Sequence, residues 1–509
     1  MHDSQPKPVP LSAATKPSAD TFIPLTITAA IVLLHILTNG RYGFHRDELQ
    51  TLSDAMHMDW GFVAYPPLTP FVERISLQIF GLSMIWLRMA SVVAQAIVII
   101  VTGLMARELG GGRLAQATAA LSVALAPLAL FEGTEFQYTT FDFLWWVLIA
   151  YFVLRLLKSE NPRWCVPIGI TIGLGFMTKY TMGFYVAGIL GGLLLTWARR
   201  FVASKWFWIG IALAVFICLP NVIWQIHHDF ISLHFLQRIH ARDVAAGRAQ
   251  GFISYQFWLC TNSFTIPLWI AGLIYFFRGQ RYRMIAWMFT IPFLLFVISR
   301  ARFYYVGAAY PMLLAMGAVM GERWLRSLSQ GWRWTVQIAF FSGVVLYGAV
   351  MAAVLIPLAP TGPLRQFALK NNGDLREEIG WPELVQSVAS VRDSLSPDRR
   401  ANLGIVVGNY GEGGALAIFG PAYHLPPPIQ LTNSGWLRGY PAPPPSTLIV
   451  LGWTQDQVDE AFTSCKVVGQ IKNSEGVKNE ESRDHPDFFL CGPPKQTWPE
   501  FWKTHQRFG

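Results

Sequence analysis

The sequence predicts an α-helical integral membrane protein that carries a small C-terminal α/β domain, and three observations predict it. Hydrophobic residues make up 52% of the 509 residues, and charged residues only 14%, against roughly 25% charged in soluble domains. The mean hydropathy is +0.35. Apolar runs fill the chain up to about residue 358, and charges return after it. This composition excludes a disordered chain.

The apolar runs give the order of the membrane segments. Residues 1–20 are rich in Pro, Ser, Ala and Lys and predict a disordered cytoplasmic tail. The run Phe22–Leu37 has no small-residue cleavage site, so we predict a first span and not a signal peptide. Ten more runs approach the ~20 residues that a bilayer requires, so that residues 21–358 form a domain of about eleven spans. They are Met84–Met105, Leu114–Phe131, Phe141–Leu157, Trp164–Met177, Thr181–Trp197, Trp206–Trp224, Phe264–Phe277, Met284–Ser299, Tyr304–Gly321 and Val336–Leu358.

The basic residues predict the orientation of these spans. If the N-terminus is cytoplasmic, every predicted inside loop is basic, whereas the outside turn 132–140 has no Lys or Arg. Cytoplasmic loops are enriched in Lys and Arg, so the net charge of +9 indicates topology and gives no support to nucleic-acid binding. The loop residues are Arg107, Arg113, Arg155, Lys158, Arg163, Arg199, Arg200, Lys205, Arg278, Arg281, Arg283, Arg323, Arg326 and Arg333.

Three segments are then expected outside the membrane: residues 39–83, residues 225–262 and residues 359–509. In the last segment the apolar runs shorten to strand length at Leu403–Val407 and Thr447–Leu451, with proline clusters between them. Such alternation favours a small soluble α/β domain, which the orientation places in the periplasm.

The five cysteines divide in the same way. Cys165, Cys218 and Cys260 lie in or beside predicted spans, where a buried free thiol is typical. Cys465 and Cys491 both belong to the external domain, where an oxidising compartment would allow a disulfide. The sequence leaves their pairing open, because two cysteines of one domain need not face each other.

An acidic pair follows the first span directly. Asp47 and Glu48 precede Leu49, Leu52 and Met56, which lie at helical spacing and predict an amphipathic helix at the membrane surface. In the structural interpretation the two acids only complement the helix dipole. In the functional interpretation one carboxylate at the membrane–water boundary takes a proton from a hydroxyl.

Further charges return to the same outer boundary. Asp142 enters an apolar run, where an acid is costly and indicates function. Lys179, Arg300 and Arg302 are cations on the side where the topology rule does not require them. Each alone would serve as a snorkelling anchor. As a set facing acids, they favour a site that holds a lipid phosphate beside a carboxylate.

Two weaker patterns are set aside. Gly408–Gly414 follows a strand-length run but lacks the full glycine pattern of a dinucleotide loop, so we do not predict nucleotide binding. The spacings of His227, His228, His234 and His240 match no common zinc pattern.

Most of the chain resembles a known family. The matching stretches are YGFHRDELQ, AYPPLTPFVERIS, LRMASVVAQAIVIIVTGLMARELGG, TTFDFLWWVLIAYFVLRLL, GLGFMTKYT, LPNVIWQ, RFYYVGAAYPMLLAMGA, GWPELV and GNYGEGGALAIFG. In their order they resemble the bacterial protein O-mannosyltransferase-like glycosyltransferases (PMT-type, GT-C fold, glycosyltransferase family 39), which include the aminoarabinose-to-lipid-A transferases.

The resemblance implies a GT-C fold whose first external loop forms helices over the active site. It also implies roles for five residues of this sequence. Asp47 is the expected general base and Glu48 its neighbour in the acidic motif. Asp142 matches the second acid of the family. Lys179 and Arg302 match positions near the lipid phosphate.

Four more residues complete the expected site. Arg46 and Arg300 are reserve cations for the phosphate, and Tyr65 and Tyr305 are expected to bind substrate. Many relatives have His-Pro-Pro where this chain has Tyr65-Pro66-Pro67, a departure that puts a substrate role of Tyr65 in question. Some relatives use a bound divalent metal and others do not, and the sequence decides neither a metal nor another cofactor.

The implied reaction is an inverting transfer of a sugar from a polyprenyl-phosphate donor to an acceptor hydroxyl or phosphate-bearing group. The acceptor is a lipid, a glycan or a protein at the periplasmic face of a bacterial inner membrane. A transporter or lipid flippase without glycosyl transfer is the alternative, although its polar residues would lie deep in several spans. A receptor whose external tail binds the ligand is a third hypothesis. The sequence identifies neither the sugar nor the acceptor.

Overall fold

The computed structural model describes residues 22–509, and the tail predicted at residues 1–20 lies outside them. Up to residue 358 the described chain is helical. Its α-helices are α1 (Phe22–Thr38), α2 (Arg46–Met56), α3 (Leu68–Phe80), α4 (Met84–Glu108), α5 (Arg113–Ala124), α6 (Pro127–Glu132), α7 (Tyr138–Ser159), α8 (Cys165–Phe176), α9 (Met182–Leu194), α10 (Lys205–His227), α11 (Ile231–Ala245), α12 (Phe252–Tyr255), α13 (Ile266–Arg278), α14 (Arg283–Ile298), α15 (Tyr310–Ser327) and α16 (Gln330–Leu355).

A helix lies at each of the eleven apolar runs, but the helices differ in length. Five helical segments of the described chain are long and apolar enough to cross a membrane, and up to seven if each of two bent helix pairs counts as one span. Helices α1 and α14 are apolar but shorter, and α5 and α8 have 12 residues each. Such a helix is about 18 Å long, well below the ~30 Å of a bilayer core. The structure therefore shows a multi-pass membrane protein, and the number eleven stays a prediction.

One apolar run shows why hydropathy misjudges length. The run 114–131 predicts a single span, but α5 ends at Ala124 and α6 begins at Pro127. Proline is favoured in the first turn of a helix and breaks the helix that precedes it. The run is therefore divided into two helices.

The loops between the apolar helices carry helices of their own. Between α1 and α4 the chain forms α2 and α3, and after α10 it forms α11, α12 and a π-helical turn at Gln256–Cys260. The amphipathic helix that the sequence predicts after the first span is α2. Its Leu49 and Leu52 are fully buried, so α2 is covered by other parts of the chain.

The remainder of the chain forms an α/β unit. Its five-stranded sheet has the order β2-β1-β3-β5-β4, in which β1, β2 and β3 are parallel and β5 is antiparallel to both neighbours. The first and third strands coincide with the two strands predicted from the sequence. The elements are α17 (Gly362–Asn371), α18 (Trp381–Asp393), α19 (Pro397–Ala401), β1 (Leu403–Val407), α20 (Tyr410–Phe419), β2 (Pro428–Gln430), α21 (Ser434–Leu437), β3 (Thr447–Leu451), α22 (Gln455–Ala461), β4 (Lys466–Gln470), α23 (Glu480–Asp484), β5 (Asp487–Cys491) and α24 (Trp498–Thr504).

A disulfide closes one edge of this sheet. Cys465 and Cys491 are bonded, with their Cα atoms 4.1 Å apart, and they join the start of β4 to the end of β5. The pairing that the sequence left open is therefore present in the structure.

Helix α20 docks the C-terminal unit onto α2 through glycines. A Cβ at Gly414 would lie 2.5 Å from the carbonyl oxygen of Leu49, and one at Gly411 would lie 2.8 Å from the ring of Trp381. No side chain fits at these distances. Gly411 and Gly414 lie three residues apart on one face of α20, and this face can therefore pack closely against Trp381 and α2. Leu49 and Leu416 belong to one continuous hydrophobic cluster, and this cluster fixes the C-terminal unit against the segment between α1 and α4.

Candidate active site

The site is built on the first turn of α2. The Nδ1 atom of His45 accepts a hydrogen bond from the backbone N–H of Asp47 at 3.2 Å, and the carboxylate of Glu48 accepts one from the backbone N–H of His45 at 2.8 Å. This capping box satisfies donors that a helix N-terminus otherwise leaves free. The helix therefore begins at a fixed residue, and both acids lie in its first turn.

The Glu48 side chain points into the protein. It is fully buried, and Arg88 of α4 donates two hydrogen bonds to it, from Nε at 2.8 Å and from Nη2 at 2.6 Å. The backbone N–H of Phe136 donates a further one at 2.8 Å. All its acceptor capacity is thus used by the protein. Glu48 therefore ties α2 to α4 and to the turn between α6 and α7, and this geometry suits a residue that positions the start of α2.

Asp47 has the opposite environment. Its side chain is only half-buried, and it accepts hydrogen bonds from the hydroxyl of Tyr410 at 2.8 Å and from Nε2 of Gln137 at 3.3 Å. Neither partner is charged, so the carboxylate is not neutralised by an ion pair. It keeps free acceptor sites on the side that faces a cavity.

This first cavity has a volume of about 470 Å³ and collects six of the nine residues singled out in the sequence. Its other wall residues are largely apolar and aromatic. The six are Asp47, Tyr65, Lys179, Arg300, Arg302 and Tyr305. The apolar wall includes Phe184, Phe235, Leu236, Ile239 and Phe296.

Lys179 lies in a cage of aromatic rings on the cavity wall. Its Nζ atom is 4.2 Å from the ring centre of Tyr305 and 5.4 Å from those of Tyr138 and Tyr304. A cation over ring faces is attracted by the negative charge of the faces, and its N–H groups stay available for other partners. Within residues 22–509 its Nζ has no hydrogen-bond partner, and the nearest carboxylate oxygen is Oδ2 of Asp142 at 3.9 Å.

Asp142 lies behind this lysine, away from the first cavity. Its carboxylate accepts hydrogen bonds from Nε1 of Trp146 at 3.0 Å and from the hydroxyl of Thr181 at 3.2 Å, and it is 4% exposed. The geometry suits a carboxylate that orients Lys179 from behind.

Arg302 is held by a carboxylate of α11. Its Nε donates to Oδ2 of Asp243 on α11 at 2.6 Å, and its Nη1 donates to the hydroxyl of Tyr304 at 3.2 Å. Burial raises the pKa of Asp243, but the Arg302 guanidinium outweighs it and holds this pKa below its usual value. The neighbouring Arg300 is exposed on the cavity rim with a positive φ of 50°.

Tyr65 is held in position by Asp54 of α2. Its hydroxyl donates to Oδ2 of Asp54 at 2.6 Å, and the other carboxylate oxygen accepts from Arg438 of the C-terminal unit. Burial raises the pKa of Asp54, and Arg438 opposes this shift. The hydroxyl of Tyr65 is therefore engaged in a contact within the protein, while Tyr65 also lines the first cavity.

Arg46 points away from the first cavity and links α2 to the C-terminal unit. It forms an ion pair with Glu480, lies 3.5 Å from Glu481, and stacks over the ring of Tyr410 at 4.6 Å. Because Tyr410 also donates to Asp47, the position of the candidate base depends on residues at both ends of the chain.

A second cavity, of about 420 Å³, meets the first at Asp47. The two cavities share Asp47, Gln137 and Arg302. Beyond these residues its wall is mainly apolar, and its polar side chains are those of His45, Glu132, Thr139, Asn371, Asn372 and Asp374. Burial raises the pKa of Glu132 to about 7, against hydrogen bonds from two threonines. Asp47 therefore stands where two separate spaces adjoin.

The sequence missed several of these partners. Arg88 is a lone cation inside an apolar run. Such a residue indicates function or a buried partner, so the sequence could have predicted its importance. Tyr410 lies in the segment Gly408–Gly414, for which the sequence predicts no function. No local pattern connects it with Asp47, which lies 363 residues earlier. In the described chain, residues 22–509, no group of three or more His, Cys, Asp or Glu side chains is arranged to hold a metal ion.

Comparisons with known proteins agree with one another. Residues 64–224 match the family model described as dolichyl-phosphate-mannose-protein mannosyltransferase. The lipid A galacturonosyltransferase RgtD of Rhizobium johnstonii is 26% identical over 370 residues, covering 70% of this chain and 74% of that protein. The undecaprenyl phosphate-alpha-4-amino-4-deoxy-L-arabinose arabinosyl transferase 1 of Pseudomonas fluorescens is 25% identical over 53% of this chain and 51% of its own length.

A solved structure extends the likeness to the whole chain. The crystal structure of ArnT from Cupriavidus metallidurans bound to undecaprenyl phosphate superposes with a TM-score of 0.59, at 13% sequence identity, over 93% of this chain and 98% of that one. At this identity the likeness shows a shared fold. It includes both the helical part and the C-terminal α/β unit.

Proposed function

We propose that this chain, a membrane glycosyltransferase of the protein O-mannosyltransferase-like (GT-C) group, transfers a sugar from a polyprenyl-phosphate donor to a lipid acceptor. One relative is named for undecaprenyl phosphate and an aminoarabinose, another for lipid A and galacturonosyl transfer, and the similar fold was crystallised with undecaprenyl phosphate. These names support the donor and acceptor classes.

The observation that carries the proposal is the position of Asp47. This half-buried carboxylate has no ion pair within residues 22–509 and lies where the first and second cavities meet. A transfer reaction brings two substrates to one point, and an acceptor hydroxyl must lose its proton there to become a good nucleophile. A carboxylate at the junction is suited to take that proton.

The first cavity suits the donor. One part of its wall is aromatic and aliphatic, as a polyprenyl chain requires, and another part holds Lys179, Arg300 and Arg302. The leaving phosphate gains negative charge as the glycosidic bond breaks, and preorganised cations stabilise such charge most where water is excluded. Asp142 would act as a positioning residue behind Lys179, and Tyr305 would shape the cation cage.

The second cavity suits the acceptor. Its wall is mainly apolar, which fits a lipid, and the polar groups of Glu132, Asn371 and Asn372 can accept from or donate to sugar hydroxyls. The acceptor hydroxyl or phosphate-bearing group would then reach Asp47 from the side opposite to the donor. A single displacement from that side inverts the anomeric centre without a covalent enzyme intermediate.

We place this site at the periplasmic face of a bacterial inner membrane, with the N-terminus in the cytoplasm and residues 359–509 as a periplasmic domain. The basic residues of the predicted inside loops support this orientation. The disulfide between Cys465 and Cys491 supports it independently, because disulfides persist in oxidising compartments. A lipid-linked donor also fits, since nucleotide sugars stay in the cytoplasm.

The test is release of polyprenyl phosphate by the purified full-length protein in lipid nanodiscs, with undecaprenyl-phosphate-linked aminoarabinose or galacturonate as donor and lipid A as acceptor. Replacing the base should lower kcat by a factor of about 100 to 10,000, so we expect that loss for Asp47→Asn. The matched control is Asp398→Asn, at an exposed aspartate of α19. An Asp47→Asn protein that retains the control's rate would refute the assignment.

A further inference from the structure

A third cavity lies between α11 and the C-terminal unit. It has a volume of about 670 Å³, within the range of about 300–1,000 Å³ that is typical of small-molecule sites. We call it the basic cavity. Its polar and charged wall residues are Arg46, His234, Gln237, Arg238, Arg242, Asn409, Thr432, Glu480, Gln506 and Arg507.

The wall carries an excess of positive charge. It contains four guanidinium groups and one side-chain carboxylate, that of Glu480. Arg46 is paired with Glu480, and Arg242 lies 3.7 Å from Asp243. Arg238 on α11 is exposed and has no ion pair among residues 22–509. Arg507 stacks over the ring of Trp453 at 4.0 Å and donates a hydrogen bond to the carbonyl oxygen of Gly452 at 3.3 Å. Planar guanidiniums are well suited to phosphate and carboxylate.

The fold places this wall at a preferred ligand position. Gly408 and Thr432 follow the carboxyl ends of the parallel strands β1 and β2, which are neighbours in the sheet. Ligands of open α/β sheets bind outside the carboxyl ends of the strands. A Cβ at Gly408 would lie 2.5 Å from the carbonyl oxygen of Gly452. This position therefore requires glycine, and the loop after β1 carries no side chain there.

Two donor atoms of the wall residues lack a partner. Nε of Arg46 and Nε2 of Gln506 are buried and make no hydrogen bond within the described chain. A buried donor without an acceptor is costly, and most such donors in proteins are satisfied. Both atoms are donors, so the missing partner is an acceptor, which agrees with the charge of the wall.

We propose that the basic cavity binds the phosphate or carboxylate of an anionic saccharide. The wall is polar and contains Tyr410 and Phe508 as its aromatic residues, so a sugar ring fits it better than an acyl chain does. The cavity shares Arg242 and Tyr410 with the first cavity, which places the anion next to the candidate active site. The proposal is independent of the proposed transfer reaction, because binding is measured without turnover.

The test uses the full-length protein in phosphatidylcholine nanodiscs and glucose 1-phosphate as the probe, with glucose as the uncharged reference. We expect the phosphate to bind and glucose to bind at least about tenfold more weakly, since one charge-assisted hydrogen bond corresponds to roughly this factor. Arg238→Gln should raise the Kd of glucose 1-phosphate about tenfold, and Gln506→Leu should raise it as well. The matched control is Arg399→Gln, which removes an exposed arginine of α19 that lines none of the three cavities.

Two results would overturn the proposal. One is an equal Kd for Arg238→Gln and Arg399→Gln. The other is a Kd that rises in Lys179→Gln but not in Arg238→Gln, because the phosphate would then occupy the first cavity. A further arm identifies the source of the anion: competition by phosphatidylglycerol in the nanodisc supports a membrane lipid headgroup, and its absence supports a soluble or glycan-borne group.

Discussion

Replacement of Arg88 tests whether Glu48 stabilises the fold, in contrast to the neighbouring Asp47, which is the candidate base. Arg88 and Glu48 are both fully buried. In Arg88→Met the Glu48 carboxylate would stay buried and keep only the backbone donors of His45 and Phe136. We expect the free energy of unfolding to fall by about 3–5 kcal/mol, the usual cost of leaving one member of a buried ion pair alone.

The distances support this magnitude. Arg88 donates two hydrogen bonds to Glu48, at 2.8 and 2.6 Å, and a bond to a charged group contributes about 1.5–3 kcal/mol. It also donates to the carbonyl oxygens of Asn39 and Gly43, each at 2.8 Å. The substitution removes these donors as well, so the loss should not fall below the lower bound.

A double variant separates this cause from simple loss of packing. In Arg88→Met combined with Glu48→Leu no member of the pair is left charged, and we expect part of the lost stability to return. The recovery is incomplete because the carbonyl oxygens of Asn39 and Gly43 and the N–H groups of His45 and Phe136 stay without these partners. The nearby Glu378 does not upset this comparison at pH 7. Burial raises its pKa to about 8 although Arg88 lowers it, so without Arg88 it stays protonated at that pH.

The assay is unfolding by a denaturing detergent in mixed micelles, followed by tryptophan fluorescence. Arg107→Met is the control, because Arg107 lies at the other end of α4 and has no ion pair within residues 22–509. The reasoning fails if Arg88→Met lies within about 1 kcal/mol of this control. It fails equally if the double variant is as unstable as the single one.

Three further outcomes follow from the site. Tyr410→Phe removes the 2.8 Å hydrogen bond to Asp47, so kcat for release of polyprenyl phosphate should fall about tenfold with the unfolding midpoint little changed; an unchanged kcat would show that the hydroxyl does not position the base. Lys179→Gln should lower kcat at least about 100-fold and the exposed Arg300→Gln far less, and equal losses would contradict the assignment of the caged lysine to the phosphate. Burial raises the pKa of Glu132 to about 7 from 4.5, so the folded state binds this proton more tightly and wild-type stability falls as pH rises from about 4.5 to 7. At pH 8 the free energy of unfolding of Glu132→Gln should therefore exceed that of the wild type by about 3 kcal/mol more than it does at pH 4. Parallel curves of stability against pH for the two proteins would refute this origin.

Local patterns predicted the parts of the fold that depend on neighbouring residues. The strands at residues 403–407 and 447–451 are short apolar runs between turn formers, and the structure has them at the same bounds. The position of α2 likewise follows from the spacing of Leu49 and Leu52. Hydropathy could not predict where apolar runs break, because a single proline such as Pro127 divides a run without changing its apolar character.

The candidate site was predictable only in part, for a different reason. Charge at an apolar boundary is costly, so Lys179 and Arg302 were visible as single residues. What each acid does depends on partners elsewhere in the chain. Glu48 is committed to Arg88 and Asp47 is free of ion pairs within the described chain, yet the two acids are neighbours with the same local signal.

The contact of α20 with α2 has a consequence for synthesis of the protein. The hydrogen bond between Asp47 and Tyr410 joins residues 363 positions apart, and the ion pair of Arg46 with Glu480 spans 434 positions. At about 5–20 residues per second, roughly 20–70 s pass between translation of the first and the last of the residues that hold Asp47. The hydrogen bond that holds Asp47 can therefore form only after residue 410 has been synthesised, so the candidate site is completed late in the synthesis of the chain.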